Sequence, residues 1–138
     1  MVTTPGNADV FRRMGAASYT IEPDAQSRVQ KPVRFEFVQT LKVLEGGGTR
    51  LELIDIGPSP HANEILIAYV PASRFVFQGD LFNTGLGDPV SSGNLTTVHF
   101  ADWLSRSGLQ VDSLGGTHSA VRSRAQLDSA AAKVRGTS

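Results

Sequence analysis

The chain has 138 residues, with thirteen basic and thirteen acidic side chains that leave no formal net charge, and no cysteine. That length suits one domain with one core. Balanced charge without a like-charge run gives no electrostatic footprint for nucleic acid or an anionic membrane, and the absence of cysteine excludes a disulfide framework and a thiolate metal site.

Residues 2–4 read as a short strand. Pro5, Gly6 and Asn7 then turn the chain into a helix, with Asn7 as N-cap, Asp9 at the positive end, Val10, Phe11 and Met14 on a narrow apolar face, and Gly15 as the stop. The opening stretch MVTTPGNADVFRRM lacks the apolar core of a secretory signal, and no apolar run approaches the ~20 residues needed to span a bilayer. A soluble cytoplasmic protein acting on a small molecule is expected, with no nucleic acid and no membrane as partner.

Residues 18–32 hold two prolines and no clear period, which predicts a surface connection long enough to cover a site. Val33, Phe35 and Phe37 alternate with Arg34, Glu36 and Val38 in the period-two pattern of a strand, which residues 41–44 continue. Gly46, Gly47 and Gly48 supply positive φ values for a hairpin turn into the next strand at 51–56. A phosphate-binding loop is rejected, because no helix pattern and no Lys-Ser or Lys-Thr pair follows the glycines.

Three apolar runs dominate residues 51–82: one at 51–56, one at 65–70 and one at 75–77. Their β-branched and aromatic content predicts strands. Gly57, Pro58, Ser59 and Pro60 end the first, and Pro71, Ala72 and Ser73 separate the other two, since proline cannot donate to a ladder. His61 and Asp80 therefore stand at strand ends, where side chains reach a crevice while the sheet behind holds them still.

The Gly/Ser/Asn-rich stretch 83–95 predicts a loop walling any pocket that Asp80 faces. A helix follows, capped by Thr96 or Thr97, carrying Phe100, Trp103 and Leu104 at i, i+3 and i+4, and stopped by Gly108. Val111 and Leu114 mark a short strand that runs through Gly115, Gly116 and Thr117 to His118. The last helix is capped at Ser123 and sets Leu127, Ala130, Ala131 and Val134 on one stripe, with Gly136 beyond its end. His99 and Trp103 read as structural. Ser91 and Ser92 lack the Gly-x-Ser-x-Gly context of a serine nucleophile.

The stretch HANEILIAYVPASRFVFQGDLF, followed by TTVHFADWL and GGTH, resembles the C-terminal half of metallo-β-lactamase-superfamily hydrolases. There a histidine follows one strand, an aspartate closes a later one and a last histidine follows another. The resemblance implies metal ligands at His61, Asp80 and His118. The family's His-x-His-x-Asp-His run is absent, for the chain contains only His61, His99 and His118. The sequence thus reads as a single truncated domain over 1–138, an α/β chain of the α+β type. The implied architecture is half of an αββα sandwich: one mostly antiparallel sheet covered by helices on one face and completed by a homodimer.

Two imidazoles and one carboxylate suffice to hold one divalent ion, zinc before manganese or iron, with open positions for water. The expected activity is that of a metal-dependent hydrolase in which an activated water attacks an ester, lactone or phosphoester; Asp80 is also a candidate general base, and Glu64, three residues after His61, a candidate acceptor behind the ligands. A second reading is a non-catalytic half-domain, acting as an interaction module or needing a partner chain to complete a binuclear site. Each residue also has a plainer role open to it: His61 closing a turn, Asp80 capping one through backbone amides, His118 as a loop residue, Glu64 as a strand-edge charge.

Overall fold

A computed structural model describes residues 1–18, 21–29, 31–87, 90 and 93–136. Val2–Thr3 form β1, which pairs in parallel with β2 at Glu36–Phe37. Between them lie α1, Ala8–Ala16, and α2, Ala25–Val29. Helix α2 interrupts the expected surface connection; the Ser27 N–H donates to the Asp24 carboxylate at 2.7 Å, which supports its first turn. Gly15 lies inside α1, and Asn7 spends its side-chain amide on the Thr4 hydroxyl rather than on a helix N–H. The alternation at 33–38 yields only two strand residues, because their ladder partner is the equally short β1.

The main sheet has six strands in sequential order: β3 (Leu41–Gly46), β4 (Thr49–Asp55), β5 (Leu66–Val70), β6 (Phe75–Phe77), β7 (Ser113–Gly116) and β8 (Ser119–Ser123). Every neighbouring pair is antiparallel except β6 with β7. That parallel step needs a long crossover, supplied by α3, Leu95–Ser107, and α4 (Arg124–Gly136) follows β8. Gly47 and Gly48 take φ +57° and +77° at the β3–β4 turn, the both-positive pattern of a two-residue hairpin. Strand β8 was not foreseen; Ser119 and Arg122 make it read as polar loop.

Register decides which side chains meet. Ile54, Ile67, Tyr69, Val76 and Leu114 fall on the face that packs against α3 and α4, where Phe100, Ala101, Leu104, Leu127, Ala130 and Ala131 complete a core. The alanines let the two helices approach closely. Asn94, not Thr96 or Thr97, caps α3: its side chain accepts from the Thr97 N–H at 3.0 Å, and the Thr97 hydroxyl accepts from the Asn94 N–H at 3.2 Å. Gly108 ends α3 in the left-handed region, as its position predicts.

The opposite face is open and apolar. Leu53, Ala68 and Phe77 align across three strands, Val70 and Phe75 align beside them, and Phe77 remains 46% exposed. A side chain at Gly115 would meet the Phe75 ring at 2.8 Å, so glycine there lets Phe75 lie flat over β7. Ile67 belongs to the helix-covered face and is buried, because it stands opposite Ile54 one residue out of step with Ala68. Lys42 of β3 meets Glu36 of β2 at 2.8 Å and ties the small sheet to the large one; the ammonium holds the Glu36 carboxyl below its ordinary range. Among the described residues no helix is long and apolar enough to cross a membrane.

Candidate functional site

Asp80 lies in the turn that follows β6, and His118 in the turn between β7 and β8. Because β6 and β7 run parallel, both turns emerge at the same end of the sheet. Their backbones are joined: the Gln78 N–H donates to the Gly115 carbonyl at 3.0 Å, and the Thr117 N–H donates to the Gly79 carbonyl at 3.0 Å. Gly79 has φ +63°, the left-handed geometry that swings the chain out of β6 toward Asp80.

The Asp80 Oδ1 and the His118 Nε2 stand 3.7 Å apart, close enough to attract and too far for a hydrogen bond. His118 is largely exposed. Asp80 is divided: its side chain is 37% exposed, yet Oδ1 is buried and has no hydrogen-bond partner among the described residues. Leaving a buried carboxylate oxygen unpaired is costly, and such orphans call for a ligand, ion or water. Among the described residues the Oδ1 accepts from no backbone amide, so this oxygen does not cap the turn.

The loop after Asp80 is held by the strand that sequence reasoning missed. The Ser119 hydroxyl donates to the Phe82 carbonyl at 3.1 Å and accepts from the Thr84 N–H at 2.9 Å. Arg122, buried in β8, donates through Nε to the Thr84 hydroxyl at 3.1 Å and through Nη2 to the Gly87 carbonyl. The wall expected at 83–95 is thus tied to β8 through residue 87. Ser91 and Ser92 lie outside the described residues.

His61 is exposed on the loop between β4 and β5. The Ser59 hydroxyl closes that turn, accepting from the N–H groups of His61 at 3.0 Å and Ala62 at 3.2 Å. The turn engages the backbone N–H of His61. Three residues on, the Glu64 carboxylate accepts from the Thr4 hydroxyl and occupies the space where a Gly6 side chain would stand. Glu64 anchors the start of α1 instead of a metal ligand. The His99 Nδ1, on α3, is buried without a partner among the described residues.

A zinc ion with ligand bonds of about 2.0–2.2 Å and near-tetrahedral angles holds its ligand atoms about 3.4 Å apart. The 3.7 Å spacing of Asp80 and His118, with the orphaned Oδ1 between the turn and the imidazole, fits two positions on one such ion. Among the described residues no group of three or more His, Cys, Asp or Glu is gathered as a metal site. The structure brings together Asp80 and His118, and leaves His61 outside that pair.

No protein-family model matches the sequence, and no curated protein matches it. Solved structures do match. The chain is similar to a metallo-β-lactamase from Pontibacter korlensis, at 17% identity and TM-score 0.57, over 95% of this chain and 55% of that one. It is similar to an archaeal metallo-β-lactamase superfamily protein from Sulfolobus tokodaii, at 20% identity and TM-score 0.54, over 72% and 39%. It is also similar to rubredoxin oxygen:oxidoreductase from the anaerobe Desulfovibrio gigas, at 11% identity and TM-score 0.61, over 96% and 35%. The chain spans about half or less of the length of these structures. It has part of the metallo-β-lactamase fold: a mixed six-stranded sheet with helices on one face and the other face open.

Proposed function

We propose that the chain is a metal-dependent hydrolase domain in which Asp80 and His118 hold one divalent ion, with His61, which stands outside that pair in the structure, as the third ligand. Zinc suits this mixed nitrogen and oxygen set best, with manganese or iron as alternatives. The observation that supports the reading is the buried, unpartnered Asp80 Oδ1 beside the His118 imidazole. When bound, such an ion supplies Lewis acidity and lowers the pKa of a coordinated water toward ~7.

The chain's own residues do the rest. Asp80 offers a buried oxygen as ligand and a carboxylate that remains partly open to solvent, so it can also take the proton of an attacking water. The tied turns at Gly79 and Thr117 keep the carboxylate and imidazole at fixed separation, which removes an ordering cost at each turnover. The loop bound by Ser119 and Arg122 lines one side of the pair and would shape the pocket for an ester, lactone or phosphoester.

The test is the metal content of the purified protein and of His61→Ala and His118→Ala variants, with ester, lactone and phosphodiester hydrolysis followed before and after chelation. Near-stoichiometric metal in the wild type, lost together with hydrolysis in both variants, is the expected result. Metal-free protein with unchanged folding in the variants would overturn it. The absence of a gathered three-ligand group among the described residues favours a second reading in that event, a non-catalytic interaction module or a half-site completed by a partner chain.

Assembly belongs to the same proposal. The open sheet face with Leu53, Ala68, Val70, Phe75 and Phe77 is apolar across several strands, and a second copy packed about a two-fold axis would cover it. Sedimentation equilibrium should show a homodimer for the wild type and a monomer for Phe77→Asp, because a carboxylate at the 46% exposed ring position would be desolvated in the interface. A wild-type monomer at all concentrations tested would remove the dimer.

A further inference from the structure

We propose that Gln78 is a positioning residue for the Asp80–His118 pair: its buried side-chain amide fixes the turn that presents Asp80. The proposal rests on the metal-centre reading above. Gln78 is only 2% exposed, although glutamine is among the residues most often left at the surface. Both ends of its amide act on one residue. Nε2 donates to the Phe82 carbonyl at 3.0 Å, and Oε1 accepts from the Phe82 N–H at 2.9 Å. The side chain thus mimics a ladder partner across a five-residue loop whose central member is Asp80.

The loop is closed from the other side as well. A Cβ at Gly116 would lie 2.5 Å from the Gln78 Nε2 and 2.9 Å from the Gly79 carbonyl oxygen, so β7 accepts the amide only because residue 116 is glycine. The Gln78 backbone meanwhile donates to Gly115, and Thr117 donates to Gly79. The Gln78 side chain therefore joins the β6 end, the Phe82 end and the β7 wall of the Asp80 turn. Phe82 is itself buried in the core cluster, so the far anchor of the loop is packed into the core. An apolar residue of equal size would fill the space, leave the Phe82 N–H to find another partner and leave the Phe82 carbonyl to the Ser119 hydroxyl alone, which loosens the turn that holds the Asp80 Oδ1 beside the His118 Nε2.

The experiment uses Co²⁺ as the probe, with affinity from calorimetry and the ligand field from visible absorption, on the full chain. Gln78→Met keeps the volume and removes both hydrogen bonds; Gln78→Asn keeps an amide one methylene too short to span the turn, and serves if the first variant folds poorly. Both should weaken Co²⁺ binding by about 10- to 100-fold, the usual loss when a group that orients a ligand is removed. Both should also alter the Co²⁺ absorption bands and speed amide hydrogen exchange at Phe82 in the metal-free protein. Tyr69→Phe breaks another core hydrogen bond, to the Gln110 carbonyl at 2.7 Å before the opposite end of β7, and should leave Co²⁺ affinity and bands unchanged.

If Asp80→Ala abolishes Co²⁺ binding while both Gln78 variants bind with wild-type affinity and bands, the positioning role falls and the metal centre stands. If wild type and Asp80→Ala bind alike, the metal centre falls and the role of Gln78 falls with it.

Discussion

Asp80→Ala is expected to abolish metal binding and hydrolysis while leaving the metal-free protein as stable as the wild type or more so. The two signs have one cause. The Asp80 Oδ1 is buried without a hydrogen-bond partner among the described residues, so the folded state carries a desolvation cost that the imidazole at 3.7 Å does not offset with a hydrogen bond. A ligand ion would offset it. Removing a residue that only orients a ligand costs about 10- to 100-fold in metal affinity, and removing the ligand itself should exceed about 100-fold. Thermal unfolding in the presence of chelator, paired with metal titration, separates the two effects. A variant that loses stability without chelator dependence, and binds metal as before, would show that Asp80 holds the turn and nothing more.

Phe100→Ala is expected to cost about 3–5 kcal/mol, the range for truncating a buried aromatic side chain in a core that cannot collapse around the cavity. Phe100 is fully buried at the centre of the cluster formed by α3, α4 and the helix-covered sheet face. Its neighbours Leu127, Ala130 and Ala131 are equally buried and sit on α4, so refilling the space would require moving a helix. Against a total stability of about 5–15 kcal/mol, the loss is a large fraction. Urea denaturation followed by circular dichroism should show a lower midpoint with an unchanged slope. A loss below 1 kcal/mol would mean that the helices do not pack on the sheet as described.

Much of the architecture was legible from local pattern. The apolar runs at 65–70 and 75–77, the glycine turn after β3, the i, i+3, i+4 spacing of Phe100, Trp103 and Leu104, and the stripe at Leu127, Ala130 and Ala131 each specify an element through its own periodicity. The cap of α3 falls at Asn94 and not at Thr96 or Thr97, because only the folded geometry shows Asn94 and Thr97 acting reciprocally. Strand β8 was missed because its pattern is polar: Arg122 is buried there, holding Thr84 and Gly87, a use of arginine that no periodicity announces.

By itself the sequence determined the residue types, their order and their placement at strand ends, which singled out His61, Asp80 and His118 together; the half-sandwich with one helix-covered face was what the resemblance of these stretches implied. Strand pairing decided the rest. The parallel register of β6 with β7 brings two turns, nearly forty residues apart in sequence, to one end of the sheet and sets the carboxylate 3.7 Å from the imidazole. The same registers turned Ile67 inward and left Phe77 outward, and the Thr4 hydroxyl drew Glu64 away to the start of α1. A one-dimensional pattern specifies what each segment wants to bury; which partner it finds depends on hydrogen bonds and packing formed across long separations, and those exist only in the folded chain.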